Sequence, residues 1–492
     1  MSSTDSDKQY DIPEFLLELP RSARIYFVGI SGISMSGLAE LAHYYGHPVA
    51  GADMHVHPRI NHFPQKGISV FNSHSKTNID TFSPDLIVYT AAVLAGNPEI
   101  EYAELMGIPC VSRAEFLGYL TTQFEKVINI AGTHGKTTVT SMLATIMIKD
   151  HLDPTVHIGA QLPQFNGTVR MGKDASLFIS EACEYQKSFL HFRSTTAAIT
   201  NIDFDHVDCF KSIDEVIEIF AKFMQNIDGK GYLIIPAFDR NAASSTALML
   251  KALCAKKLPV PQLLTTGLSH HTFSLTGKVA DVYADNIVFY DGYPAFDVFV
   301  KGDFFTHIQL KIPGEHNIYN ALTAIACAYV HGVSAKACQT ALDSFSGAEG
   351  RFTIKGKYKG ATVITDYAHH PAAARATLHA ASKLKYNNIW VVFQPLTFNR
   401  TKILFDDYVT TLLSCPHIIF AEIFSDREVN PGDISSSLLA DKINELGGEA
   451  EFFTDKKDIA QRLSTLVSTD DIILFLGPED IRDMADLLIE EG

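Results

Sequence analysis

The sequence predicts an α/β protein of three domains built on parallel sheets. Three observations predict it. The chain has 492 residues, and about 150 residues per domain gives roughly three domains. Short apolar runs alternate with helical stretches along nearly all of it, as strands joined by crossover helices do. Two of those runs end in glycine turns that lead into helices, at 29–37 and at 132–135.

The first region, residues 1–124, holds a β-branched and aromatic run at 24–28 that reads as a strand. A glycine turn follows, then helical composition over 36–45, and a second buried strand is expected at 85–90. The second region, 125–345, opens with an apolar strand at 127–131 and the turn Gly132-Thr133-His134-Gly135. A helix is predicted from Lys136 to about Lys149, with further strands at 177–180 and 197–200. From 263 to 311 apolar and polar residues alternate, which predicts antiparallel strands. The alanine-rich helix after Pro313-Gly314-Glu315-His316 is expected to end near His331-Gly332. Glycine, serine and charge at 344–350 mark the next boundary. The third region, 346–492, carries expected parallel strands at 361–365, 389–393, 417–420 and 472–476.

Composition narrows the function. A net charge of −16 argues against general nucleic-acid affinity, which needs Lys and Arg to displace counterions. It leaves room for a small phosphorylated ligand held by backbone N–H groups. Apolar residues at 46% exclude a disordered chain. No stretch reaches the ~18 apolar residues of a membrane helix, and residues 1–10 lack a signal pattern. The seven cysteines are scattered, with no Cys-x-x-Cys, and read as free thiols in a reducing cytoplasm. The same scatter argues against structural zinc.

The strongest motif is Gly132-Thr133-His134-Gly135-Lys136-Thr137-Thr138, between a strand and a helix. Its glycines let backbone N–H groups crowd round a phosphate at a helix N-terminus. Lys136 would add charge to the outer phosphates, and Thr137 would offer its hydroxyl to magnesium. It is a variant loop, because Ile130 stands where the general spacing has its first glycine. The turn Gly29-Ile30-Ser31-Gly32-Ile33-Ser34-Met35-Ser36-Gly37, with Asp53 after the next strand, is a weak dinucleotide fingerprint and equally a plain tight turn. Glu181 and His206 follow apolar strands, where parallel sheets hold ligands. They suit the flanks of metal-bound phosphates, with helix capping as the alternative. Arg400 follows the 389–393 strand and has the fork to clasp a carboxylate, although a lone arginine is usually a solvated surface group. His369 and His370 are neighbours on an extended stretch, so they point to opposite faces and do not share a metal.

Together these residues resemble the Mur ligase family over nearly the whole chain. The resemblance rests on six signatures in order: Phe27-Val28-Gly29-Ile30 with Met35-Ser36-Gly37, Ala131 to Thr138, Glu181-Ala182-Cys183-Glu184-Tyr185, Thr200 to His206, Pro313 to Ala321, and Asp366 to Pro371 with Phe393-Gln394-Pro395. It implies a Rossmann-like UDP-sugar domain, a central ATPase domain with a parallel and a smaller antiparallel sheet, and a Rossmann-like C-terminal domain that brings the amino acid. It implies ATP-dependent ligation of L-alanine to the lactyl carboxylate of UDP-N-acetylmuramate, through an acyl phosphate, in peptidoglycan biosynthesis. Joining a preformed peptide to the same sugar nucleotide is the alternative, and a catalytically weak nucleotide-binding paralogue is a second. ATP is a substrate, Mg2+ or Mn2+ the metal, and the expected assembly a monomer or homodimer in the cytoplasm.

The resemblance also implies roles. Gly132, Thr133, His134, Gly135, Lys136, Thr137 and Thr138 would bind ATP, with His316 and Asn317 at adenine and Arg351 and Asp366 at the nucleotide. Thr137, Glu181 and His206 would hold metal. Gly29, Gly32, Ser36, Asp53, His74 and Thr90 would line the UDP-sugar site. Tyr367, His369 and Arg400 would surround the amino acid, and Lys136, Glu181, His206, His369 and Arg400 would carry the catalysis. The sequence departs from the family pattern at Ser34, a glycine position, and at Ala52, a serine position. Gly350 stands where a second arginine is common, and Leu396 where histidine is usual.

Overall fold

Strands buried on both faces need cover on both sides, and they read as continuous apolar runs. The structure, a computed structural model, describes residues 12–90, 93, 96–165, 167–269, 280–425 and 428–490. Those residues form three sheets, one within each predicted region. By mutual contact the chain falls into two compact units. The first comprises 1–202, 217–265 and 323–333; the second comprises 203–216, 266–322 and 334–492.

The first unit contains a five-stranded parallel sheet. Its spatial order is Ser69–Phe71, Val49–Ala52, Ile25–Val28, Leu86–Tyr89, Cys110–Ser112. The predicted strands at 24–28 and 85–90 are the central pair. The chain reverses its direction of travel across the sheet at Ile25–Val28, so the loop that follows opens at a switch point, where such sheets bind ligands. A second set of strands runs Ile227–Pro236, Ser194–Ile199, Lys126–Ala131, Leu177–Ala182, Thr155–Leu162, Gly167–Arg170. All of its pairings are parallel except the last.

Helix Ile33–Tyr44 starts three residues before the prediction, directly after Gly32. A Cβ on Gly37 would lie 2.7 Å from Val169 Cγ1, so only glycine lets this helix approach the Gly167–Arg170 strand. Helix Lys136–Lys149 matches its prediction and buries residues 137–147, and the hydroxyls of Ser141 and Thr145 on it donate to the carbonyls four residues back.

In the second unit, Val282–Tyr290, Tyr293–Val300 and Asp303–Gln309 form an antiparallel meander. This fulfils the expected antiparallel pairing for 282–309, but the start of that stretch departs from it: residues 266–268 pair parallel with 282–284, and 270–279 lie outside the described residues. Helix His316–Val330 ends just before His331-Gly332, as expected. A six-stranded sheet has the order Thr353–Tyr358, Ala361–Asp366, Ile472–Leu476, Ile389–Phe393, Ile418–Ala421, Ala450–Phe453. Only its first strand is antiparallel. Alternate residues feed two cores: Ile472, Leu474 and Leu476 face one with Phe393 and Phe420, while Ile473 and Phe475 face the other with Val392 and Ile419. Among the described residues no helix is long and apolar enough to cross a membrane.

Candidate functional site

The glycine turn of the first unit is closely determined. Gly29 has φ +84°, and a Cβ there would meet the Thr90 methyl at 2.6 Å. Gly32 is the residue before the helix. Asp53 holds the loop, accepting from Ser31 N at 3.0 Å and His55 N at 3.2 Å. Ser36 spends its hydroxyl on Ile33 O, within its own helix. His74 meets the fully buried Glu99 carboxylate at 2.7 Å, and Tyr26 and Asn78 donate to the same group. His74 is thus anchored beside this sheet.

The second glycine turn is strapped to the strand beside it. Thr133 N and His134 N donate to Asn201 O and Oδ1 at 3.0 and 2.9 Å. Thr200 Oγ1 and Asn201 Nδ2 donate back to His134 O. Gly135, at φ +86°, opens the helix and turns the backbone as a phosphate loop requires. Thr138, on that helix, is buried.

Lys136 Nζ folds back onto Gly132 O and Thr133 O and pairs with Glu184 at 2.9 Å. Burial alone would push its ammonium down; the Glu184 carboxylate outweighs burial and holds it above its ordinary value. Thr137 Oγ1 donates to Glu181 Oε2 at 3.0 Å, and Glu181 Oε1 accepts from Gly159 N at 2.6 Å. Two of the three expected metal-binding groups are therefore adjacent oxygen donors. That donor set fits magnesium, which takes a few protein oxygens together with waters and phosphate oxygens.

His206 belongs to the second unit. It has φ +52°, strained for a side chain of its size. Its neighbour Asp205 is buried and accepts at one oxygen from His206 N (2.6 Å), Arg400 Nε (3.0 Å) and Arg400 Nη2 (2.9 Å). Burial pushes the Asp205 carboxyl up, and the His206 and Arg400 charges override it, holding the group well below the usual range. This alters the expected geometry of Arg400. One edge of its fork is committed to Asp205, and only Nη1, buried without a hydrogen-bond partner, is left for a ligand. Helix Phe398–Ile403, which carries Arg400, follows Thr397 at φ +66°. Glu428 holds that helix's first turn by accepting from Phe398 N and Asn399 N.

His369 Nδ1 lies 2.9 Å from Tyr367 O. A carbonyl accepts only, so Nδ1 carries the proton and Nε2 the lone pair. Burial, then the Arg400 charge, pushes its pKa well below the usual histidine value. Asp366 accepts from Phe352 N and Ala368 N at 2.9 and 2.8 Å, and burial, against Arg351, raises its carboxyl. Arg351 lies over the Tyr367 ring at 4.9 Å. At the expected adenine segment, Asn317 donates to Pro313 O and accepts from Asn320, while His316 is held neutral by burial and the His379 charge, its pKa pushed down to about 4.

Sequence reasoning missed several groups. Glu184, the partner of Lys136, stands out in the sequence only as part of a signature. Arg113 Nη1 donates to Ser34 Oγ at 3.3 Å, and Ser34 Oγ also lies 3.2 Å from His157 Nε2. Arg482 lies over Tyr367 at 5.3 Å. No local spacing signals any of these, because each is brought in by the fold.

Comparison with known proteins accords with these features. A model described as Mur ligase family, catalytic domain, matches residues 24–125. The Mur ligase middle domain matches 130–328, and the Mur ligase, glutamate ligase domain, matches 350–478. A protein of Acetivibrio thermocellus named UDP-N-acetylmuramate–L-alanine ligase is 38% identical over 477 residues, 97% of each chain. One of the same name from Clostridium acetobutylicum is 39% identical over 471 residues, 96% of this chain and 98% of that one. Among solved structures, a UDP-N-acetylmuramate-alanine ligase of Thermotoga maritima matches with TM-score 0.78 at 26% identity, covering 95% of this chain and 99% of that one. A murein peptide ligase of Psychrobacter arcticus matches with TM-score 0.69 at 26% identity, covering 95% and 98%.

Proposed function

The chain belongs to the Mur ligase family, with that family's three-domain α/β architecture, and from that premise we propose that it joins L-alanine to the lactyl carboxylate of UDP-N-acetylmuramate at the expense of ATP. This is a step of peptidoglycan biosynthesis, and the cytoplasm, which supplies ATP, is its proposed location. The observation that carries the reading is the cluster at the second glycine turn: Lys136 on Glu184, and Thr137 on Glu181. That set is built to hold phosphates and a hard cation.

In the proposed reaction a lactyl carboxylate oxygen attacks the γ-phosphorus of ATP, and the bond to the β-phosphate oxygen breaks. ADP leaves and an acyl phosphate remains. The alanine nitrogen then attacks the acyl carbon, the carbon–oxygen bond to phosphate breaks, and an amide forms. Lys136 exchanges Glu184 for the phosphates and stabilises their charge. Thr137, Glu181 and His206 would hold Mg2+ or Mn2+, which when bound neutralises charge on the transferring phosphoryl group. His369, whose Nδ1 is committed to Tyr367 O, offers the Nε2 lone pair as the acceptor for the proton released by the attacking amine. Arg400 Nη1 meets the alanine carboxylate, with Tyr367 beside it. Gly29, Gly32, Asp53, His74 and Thr90 line the UDP-sugar site, and His316, Asn317, Arg351 and Asp366 serve the nucleotide.

The test is phosphate release from ATP with UDP-N-acetylmuramate and, in turn, L-alanine, glycine, L-serine and an alanyl peptide. Release with L-alanine supports the proposal. Release with the peptide alone makes the chain a peptide-adding ligase, and no release with any acceptor makes it a nucleotide-binding paralogue.

A further inference from the structure

The buried carboxylate that anchors His74 also decides what His74 can offer a ligand. Glu99 is fully buried in the first turn of helix Pro98–Met106, where the helix dipole favours an anion. Its Oε1 accepts from Tyr26 OH at 2.6 Å, Asn78 Nδ2 at 2.8 Å and Ser75 N at 3.4 Å. Its Oε2 lies 2.7 Å from His74 Nδ1. A carboxylate only accepts, so Nδ1 carries the proton. In the neutral ring the lone pair is then on Nε2, and the side chain, 17% exposed, brings an acceptor to the surface.

The sheet sets where that acceptor stands. Gly29, Asp53 and His74 follow the adjacent strands Ile25–Val28, Val49–Ala52 and Ser69–Phe71, in that spatial order. Neighbouring strands lie about 4.8 Å apart, so the three residues are spread along about 10 Å of the carboxyl edge. Sheets of this kind take a nucleotide's phosphates at the glycine turn and its ribose at the acid after the next strand. A nucleoside diphosphate laid along the same edge would bring its base to the end of the third strand, beside His74. A pyrimidine offers a sharp choice there: uracil N3 bears a hydrogen, and cytosine N3 bears a lone pair.

We propose that Glu99 is a positioning residue for base recognition: by fixing the His74 tautomer it makes Nε2 the acceptor for uracil N3–H, and so selects uridine over cytidine nucleotides. The proposal rests on the UDP-sugar reading above. Cytosine would set two lone pairs against each other, and a site built for a hydrogen bond rejects the analogue that cannot make it. Glu99→Gln reverses the arrangement. Tyr26, Asn78 and Ser75 N all need an oxygen, so the amide oxygen stays with them and the amide NH2 turns to His74. Nδ1 must then accept, the proton moves to Nε2, and Nε2 becomes a donor.

The test is calorimetry of the full chain at about pH 8, where a histidine is mostly neutral, with UDP, CDP and 2′-deoxy-UDP. The wild-type chain should prefer UDP to CDP at least tenfold. Glu99→Gln should lower that ratio at least tenfold, by weakening UDP and tightening CDP, with 2′-deoxy-UDP following UDP. His74→Ala should abolish the preference, and it decides the matter if Glu99→Gln fails to fold. Equal weakening of UDP and CDP by Glu99→Gln would mean that Glu99 only supports the fold, and the proposal would be wrong. A wild-type chain without the preference, or His74→Ala with the preference intact, would also overturn it. A loss seen with UDP and absent with 2′-deoxy-UDP would put His74 at the ribose and overturn the assignment to the base. Nucleotide binding stands apart from ligation. A chain that selects UDP and ligates nothing overturns the proposed function alone, and one that ligates L-alanine with a ratio unmoved by Glu99→Gln overturns this proposal alone.

Discussion

Replacing Arg400 by methionine should unfold the second unit far more readily, by an amount that follows from its geometry. Arg400 is 2% exposed and Asp205 6%. Two arginine hydrogen bonds converge on one carboxylate oxygen, and without them that oxygen keeps the 2.6 Å bond from His206 N. A buried charge stripped of its partner costs about 3–5 kcal/mol. Asp205→Asn keeps an acceptor oxygen but loses the charge, and should cost about 1.5–3 kcal/mol, the range for a hydrogen bond to a charged group. The double variant buries no unpaired charge. It should cost less than the two singles together, with a coupling of about 2 kcal/mol or more. Denaturant titration of the full chain measures the three values, and hydrogen exchange over 203–206 and 398–403 shows whether the loss is local. A single-variant cost below about 1 kcal/mol, or additivity within about 0.5 kcal/mol, would refute the reasoning. The kinetic counterpart is Arg400→Lys. A lysine has no planar fork to hold Asp205 and a ligand together. The KM for L-alanine should rise at least tenfold, or ~1.4 kcal/mol, with little change for ATP. If ATP weakens and L-alanine does not, Arg400 faces the nucleotide instead.

Three further outcomes are expected. Lys136→Ala should abolish ligation and leave UDP-N-acetylmuramate affinity nearly unchanged in calorimetry, since among the described residues the lysine hydrogen-bonds to its own loop and to Glu184; a large loss of sugar affinity would contradict the assignment. Glu181→Gln should raise the magnesium concentration needed for activity, because a hard cation prefers a charged oxygen, and an unchanged metal titration would remove Glu181 from the ligand set. Acid should destabilise the fold: burial holds His157, His316 and His331 neutral with pKa values pushed down to about 4. Between about pH 6.5 and 4 the unfolded chain binds protons that the folded chain does not. Stability is therefore full above that range and falls by up to about 1.4 kcal/mol per pH unit for each histidine. Equal denaturation midpoints at pH 7 and pH 5 would refute this.

The parts of the molecule that were legible are those whose cause is local. The strands Ile389–Phe393 and Ile472–Leu476 fall where the apolar runs put them, because both of their faces are buried. The phosphate loop was legible because strand, glycines, lysine and helix are contiguous. Strand Ile227–Pro236 escaped notice because glycine and lysine interrupt its first half. Helix Arg240–Lys256 escaped because serine, threonine and alanine blur its apolar face. The Asp205–Arg400 pair spans 195 positions and the Ser34–Arg113 bond 79. Pairing at that range is decided by the fold, and no spacing rule reaches it.

The departures from the family pattern test whether the chain has lost function or rebuilt it. At 34, serine in place of glycine adds a hydroxyl that meets both Arg113 and His157; glycine there would remove both contacts. At 350, the missing side chain makes room for Arg482. At 396, leucine sits in a loop whose path is set by backbone bonds, Thr397 N to Phe424 O and Phe424 N to Pro395 O. A histidine there would change the surface that a ligand meets without changing the path of the chain. Leu396→His should therefore shift the preference among L-alanine, L-serine and glycine while leaving the melting temperature and the KM for ATP unaltered. A variant that unfolds, or that keeps the same relative kcat/KM for all three amino acids, would show that residue 396 does not form the wall of the amino-acid pocket.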